Sequence, residues 1–238
     1  LLLVYYTDLD SVQHETGAFS DRAYATLEKI DGQVQRLVDA ASAIGIADDT
    51  TFVVVSDHGF ADVDKAVRPA VALAKAGLID VEGGRVRDWK VGLLPAGGMC
   101  GVVLKNPSDA KTRERAGAVL DDLAKDKRNG IEKIDGEADI AKMEGFGDAT
   151  WALEAAPGFY FSNALGGEIV GPAGEGGTHG YRADHADMHA SIIAAGPAVT
   201  RRGDLGLVHT IDVAPTIANV LGLSLPTAEG QAITGIGP

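Results

Sequence analysis

Thr51-Phe52-Val53-Val54-Val55-Ser56-Asp57-His58-Gly59 is a run of apolar, mostly β-branched residues cut off by a carboxylate, an imidazole and a glycine. A short continuous apolar run bounded by turn residues has the pattern of a strand buried on both faces. Upstream, Tyr24, Leu27, Ile30, Val34, Leu37, Val38 and Ala41 recur at helical spacing and predict a helix from about Phe19 to Ile44. Further upstream, Leu1-Leu2-Leu3-Val4-Tyr5-Tyr6 predicts another buried strand, beginning at the first residue with neither initiator Met nor leader. Downstream, His189 to Ala195 predicts a buried strand ending in Gly196-Pro197, and Thr210 to Leu221 a helix closed by Gly222. Apolar strands alternating with helices imply an α/β fold: a mainly parallel sheet covered by helices on both faces.

The middle of the chain has a different texture. Short β-like runs (Arg85 to Leu94, Met99 to Leu104), a charged helix around Asp109 to Lys127 and a loop at 144–148 predict a smaller inserted α+β subdomain. The expected division is a core of residues 1–80 and 165–238 with an insert of residues 81–164.

The formal net charge of -13, from 34 acidic and 21 basic residues, offers no basic row to grip a nucleic-acid backbone. No apolar run has transmembrane length. The single cysteine, Cys100, excludes an intramolecular disulfide and a cysteine-rich zinc site, so any metal must rely on His and Asp.

Such residues gather where predicted strands stop. Asp10 and His14 follow the first strand four residues apart, a spacing that can converge on one ion in a loop or a helical turn. Asp57 and His58 end the second, and His179 lies in a loop with Gly174, Gly176, Gly177 and Gly180. Ligands of open α/β sheets bind at the carboxyl ends of strands, so the three clusters are expected to line one crevice. His185, Asp187 and His189 sit at a turn and a strand start, where packing or outer-shell support of metal ligands is more usual than ligation; Asp187 and His189 are the candidates for that support. Five Asp and His ligands suit zinc or a similar divalent ion, and their number suggests two ions.

In order and context, Tyr5 to His14, Val53 to Gly59, His179-Gly180-Tyr181 with Asp187-Met188-His189, and Ile211 to Thr216 resemble the alkaline phosphatase superfamily, most of all its type I phosphodiesterase/nucleotide pyrophosphatase branch. The resemblance covers roughly residues 1–65 and 145–238. It implies that Asp10, His14 and His179 hold one zinc and Asp57 and His58 a second, acting on a small phosphate-ester or nucleotide substrate. It also implies a further Asp and a Thr or Ser nucleophile in an upstream segment of the same protein. Nothing here matches that segment, so the chain alone is expected to be inactive. Arg182-Ala183 stand where the family pattern has Asp and Asn. Phosphonoacetate hydrolases and phosphomonoesterases share these metal motifs, and a non-catalytic scaffold is the alternative from another class. Family members commonly work in the periplasm or outside the cell.

Overall fold

A computed structural model describes residues 1–143 and 145–237. In chain order its elements are α1 (Asp8–Thr16), α2 (Asp21–Ala43), β1 (Phe52–Val55), β2 (Ala61–Val67), α3 (Pro69–Lys75), β3 (Ile79–Glu82), β4 (Arg85–Trp89), β5 (Val91–Ala96) and β6 (Met99–Leu104). There follow α4 (Ala110–Lys125), β7 (Ile131–Gly136), α5 (Glu137–Met143), β8 (Trp151–Ala155), β9 (Gly158–Phe161), β10 (Val170–Pro172), β11 (Gly177–Thr178), β12 (Ile192–Ala195) and α6 (Val213–Val220). The chain divides into two compact units, one of residues 1–26 and 60–189, the other of residues 27–59 and 190–238.

In the first unit a four-stranded sheet has the order β5-β6-β8-β7, and β2 pairs with β10, β11 and β9 in a second sheet. Helix α4 is capped by Asp109, whose carboxylate accepts the Thr112 N–H at 3.1 Å and so satisfies an orphan donor of the first turn. Its Ala116, Leu120 and Leu123 recur every three or four residues and are all buried. They join Leu73, Leu78, Val91, Val102 and Leu153 in one hydrophobic core. Cys100 belongs to that core, and burial pushes its thiol up to about 12, which keeps it protonated and inert.

In the second unit β1 pairs with β12, Phe52 opposite Ala195 and Val55 opposite Ile192. Asp212 organises the entry to α6: its carboxylate accepts the N–H groups of Gln231 at 2.9 Å and His209 at 3.2 Å. The Gln231 contact, more than any other, holds the Asp212 carboxyl below its usual range. Thr216 then donates to the Asp212 carbonyl and accepts the Ile233 N–H, joining the chain after α6 to the helix.

Three expectations are corrected. The sheets are not mainly parallel: β2 and β9 form a parallel pair, whereas the other ladders among the described residues are antiparallel. Apolar alternation with helices carries no information on strand direction. β1 and β12 are not buried on both faces either: Val54, Val55 and Ile193 are exposed, because an apolar run sets which residues could be covered and not what covers them. Nor do residues 1–6 form a buried strand: they carry no ladder, and Leu1 is 84% and Tyr5 80% exposed. A strand exists only through partner hydrogen bonds, which local apolarity cannot supply. The helix expected from about Phe19 to Ile44 is observed as Asp21–Ala43. Of the expected loop at 144–148, residues 145–148 are irregular and Glu144 lies outside the described residues.

Candidate metal centre

Asp10 and His14 lie on α1, one turn apart, so their side chains share a face of the helix. His179 follows β11 directly, and β11 is placed by pairing of Gly177 with Asp62 and of Thr178 with Ala61. Two close approaches bring helix and strand together. The Gly176 N–H donates to the His14 carbonyl at 2.7 Å, and a Cβ on Gly176 would sit 2.6 Å from the Thr16 carbonyl carbon, so a larger residue would force the loop off the helix. The Gly98 N–H in the β5–β6 turn donates to the His179 carbonyl at 2.9 Å. Gly180 then turns at φ +77°, where a Cβ would lie 1.9 Å from the Ala96 carbonyl oxygen. Asp62 secures the far end of α1, accepting the Ala18 N–H at 2.6 Å.

The result is a cluster in which one ligand atom each from Asp10, His14 and His179 lies within 4.8 Å of the others. Asp10 Oδ1 is 3.7 Å from His14 Nε2 and 3.6 Å from His179 Nε2. These separations are too long for direct hydrogen bonds. They approach the edge of a zinc tetrahedron, since two atoms each about 2.1 Å from such an ion stand about 3.4 Å apart.

The donor chemistry agrees. His14 Nδ1 faces the Glu175 carboxylate at 3.0 Å and the Gly177 carbonyl at 3.1 Å, both acceptors, so Nδ1 carries the proton. In neutral His14 the lone pair is then on Nε2, which points at another acceptor, the Asp10 carboxylate. A lone pair confronting a carboxylate suits a cation between them. Phe60 stands edge-on to both imidazoles, its ring centroid 4.9 Å from His14 and 5.5 Å from His179.

Asp57 and His58 form a separate pair in the second unit, at the end of β1. His58 Nε2 is 3.7 Å from Asp57 Oδ1, and His58 Nδ1 donates to the Gly59 carbonyl at 2.9 Å, leaving the Nε2 lone pair toward the carboxylate as in His14. Asp187 and His189 flank buried Met188 at the 3-10 turn Ala186–Met188 and are themselves exposed. Asp187 lines a cavity of about 250 Å³ together with Phe60, Tyr181 and His185.

Sequence reasoning passed over three features. Glu175, the Nδ1 partner of His14, is distant from it in sequence; its one signal is its place inside the glycine-rich loop. Phe60 follows Asp-His-Gly directly and reads as an ordinary core aromatic. The third is a buried charge network beyond His179. Arg182 reaches Asp135, which is fully buried and also takes Lys133 at 2.6 Å. Glu154, likewise buried, takes His185 at 2.8 Å. Burial raises the Glu154 carboxyl above its usual range against the pull of His185 and Arg182. Arg182 thus ties the loop after His179 to β7.

The family model for type I phosphodiesterase / nucleotide pyrophosphatase matches residues 1–182. A comparison with curated protein sequences gives no match. Among solved structures, human ectonucleotide pyrophosphatase / phosphodiesterase 5 is similar over 96% of this chain and 55% of its own, with a TM-score of 0.71 and 16% identity. The murine protein of the same name is similar over 80% of this chain and 45% of its own, with a TM-score of 0.57 and 17% identity. The chain therefore spans about half the length of these relatives, and at such identities the likeness is one of fold.

Proposed function

Because this chain belongs to the type I phosphodiesterase / nucleotide pyrophosphatase family, we propose that it forms the metal-holding part of a hydrolase that cleaves phosphodiesters or nucleotide pyrophosphates. The observation that carries this reading is the convergence of Asp10, His14 and His179. In the proposal these three hold one zinc ion, Asp57 and His58 belong to a second, and Asp187 and His189 support them from outside. A bound divalent ion supplies positive charge to a phosphoryl oxygen and to the oxygen that attacks or leaves.

The residues of the chain prepare that site. Asp10 contributes the negative charge, which favours a divalent over a monovalent ion. His14 presents Nε2 because its Nδ1 proton is engaged. The turn at Gly180 and the hydrogen bond from Gly98 hold the His179 backbone, so its imidazole is positioned before any ligand arrives. Phe60 covers the imidazole edges and removes water from that side, which strengthens the local field. Residues 81–164 are proposed as an inserted subdomain; they contain the four-stranded sheet and α4.

The test is turnover by the protein carrying these residues together with a family-type nucleophile segment. A nitrophenyl phosphodiester is expected to be hydrolysed faster than a phosphomonoester or phosphonoacetate, and a chelator should abolish the activity. Chelator-resistant turnover, or a preference for either alternative substrate, would overturn the assignment. The 238-residue chain alone is expected to bind zinc without turnover at a comparable rate, since no segment in it resembles the nucleophile region.

A further inference from the structure

We infer that Glu175 is a positioning residue for the metal centre, acting through His14. The inference rests on the proposed reading of Asp10, His14 and His179 as ligands and assigns a role to a residue outside that set.

The geometry is specific. Glu175 Oε2 lies 3.0 Å from His14 Nδ1, the ring nitrogen opposite the one that faces Asp10. A carboxylate accepting the Nδ1 proton does two things that the nearby Gly177 carbonyl cannot do alone. It places a full negative charge behind the imidazole, which raises the electron density at Nε2 and so its strength as a ligand. It also gives the ring a second fixed contact, so that its plane is set by two oxygens rather than one.

Glu175 is well placed for this. It precedes Gly176, whose N–H donates to the His14 carbonyl and whose own carbonyl accepts the Val63 N–H at 3.0 Å. The backbone beside Glu175 is therefore fastened both to α1 and to β2, and its side chain is partly buried, with a quarter of its surface exposed. A loop carboxylate is ordinarily solvated and mobile; this one is held against the back of an imidazole.

The test is zinc affinity of the 238-residue chain by competition with a chromophoric chelator, for wild type, Glu175→Gln, Glu175→Ala and His14→Ala, together with the proton and ¹⁵N resonances of His14 Nδ1. Glu175→Ala is expected to weaken zinc binding about 10-fold or more, within the roughly 10–100-fold range for loss of such outer contacts, and to shift the Nδ1 resonance. Glu175→Gln keeps an acceptor oxygen without the charge and is expected to fall between wild type and Glu175→Ala, with the folded circular-dichroism spectrum retained. Unchanged affinity in both Glu175 variants, with His14→Ala weakened, would overturn the role of Glu175 while leaving the metal site standing. Weakened affinity with an unmoved Nδ1 resonance would also overturn it, because the effect would then bypass His14. Unchanged affinity in His14→Ala would refute the metal site itself, and the inference with it.

Discussion

Asp10 Oδ1 on the first helix lies 3.6 Å from Nε2 of His179, a residue delivered by the loop after β11. The contact depends on Gly176, just before β11, and Gly177, its first residue, which let the chain entering the strand pass close to the end of α1. A Cβ on Gly177 would sit 2.9 Å from the Gln13 carbonyl oxygen, so the carboxylate and imidazole meet because the backbones meet first.

If these groups share an ion, zinc should stabilise the folded chain. At a free concentration about 100 times the dissociation constant the gain is about 2.7 kcal/mol. Thermal melts with and without zinc should show this as a rise in Tm. The rise should disappear in His179→Ala and persist in His185→Ala, whose imidazole pairs with Glu154.

Gly180→Ala should damage the centre without touching a ligand. The new methyl group meets the Ala96 carbonyl oxygen and the backbone is at φ +77°, so the loop must shift. The expected cost is about 1–3 kcal/mol of stability, read from denaturant midpoints, accompanied by weaker zinc binding because His179 adjoins the strained residue.

Tyr181 should ionise above the ordinary range of a tyrosine. Burial, reinforced by the Glu175 carboxylate, pushes its phenol up to about 12, and its hydroxyl donates to the Phe159 carbonyl. A folded value above the unfolded one means that the associated stability is complete below pH 10 and is lost as pH rises through about 12. Denaturant midpoints measured across this window should fall with pH in wild type, and the part of that fall due to position 181 should vanish in Tyr181→Phe.

Arg182→Met should leave buried Asp135 with Lys133 as its remaining cation among the contacts described above. Uncompensated buried charge is costly, and with one cation retained the loss should be about 2–3 kcal/mol. Changing Asp135→Asn in the same chain removes the charge and should recover part of the stability, a coupling that a double-mutant cycle would read directly.

Local features were legible in the sequence because they depend on neighbours along the chain. The spacing of Tyr24, Leu27, Ile30 and Val34 marks α2, the run Phe52 to Val55 marks β1, and the four-residue step from Asp10 to His14 allows both to reach one ion in a loop or a helical turn; the helix α1 settles which. The motif around Asp57-His58-Gly59 was legible for the same reason, as one of the four segments whose order and context carried the family resemblance. Strand direction was not legible, since Val53 and Val54 are apolar whether their partner runs parallel or antiparallel. The fate of Leu1 to Tyr6 was hidden likewise, because a strand is defined by a partner's hydrogen bonds.

The sequence by itself determined which side chains could bind a cation and roughly which segments would be helix or strand. Only the tertiary structure decided that Asp10, His14 and His179 meet, that Glu175 stands behind His14, and that Arg182 is spent on Asp135. Ligand identity is a property of single residues, whereas convergence depends on where glycines allow distant backbones to approach and on which buried charges must find partners once water is excluded.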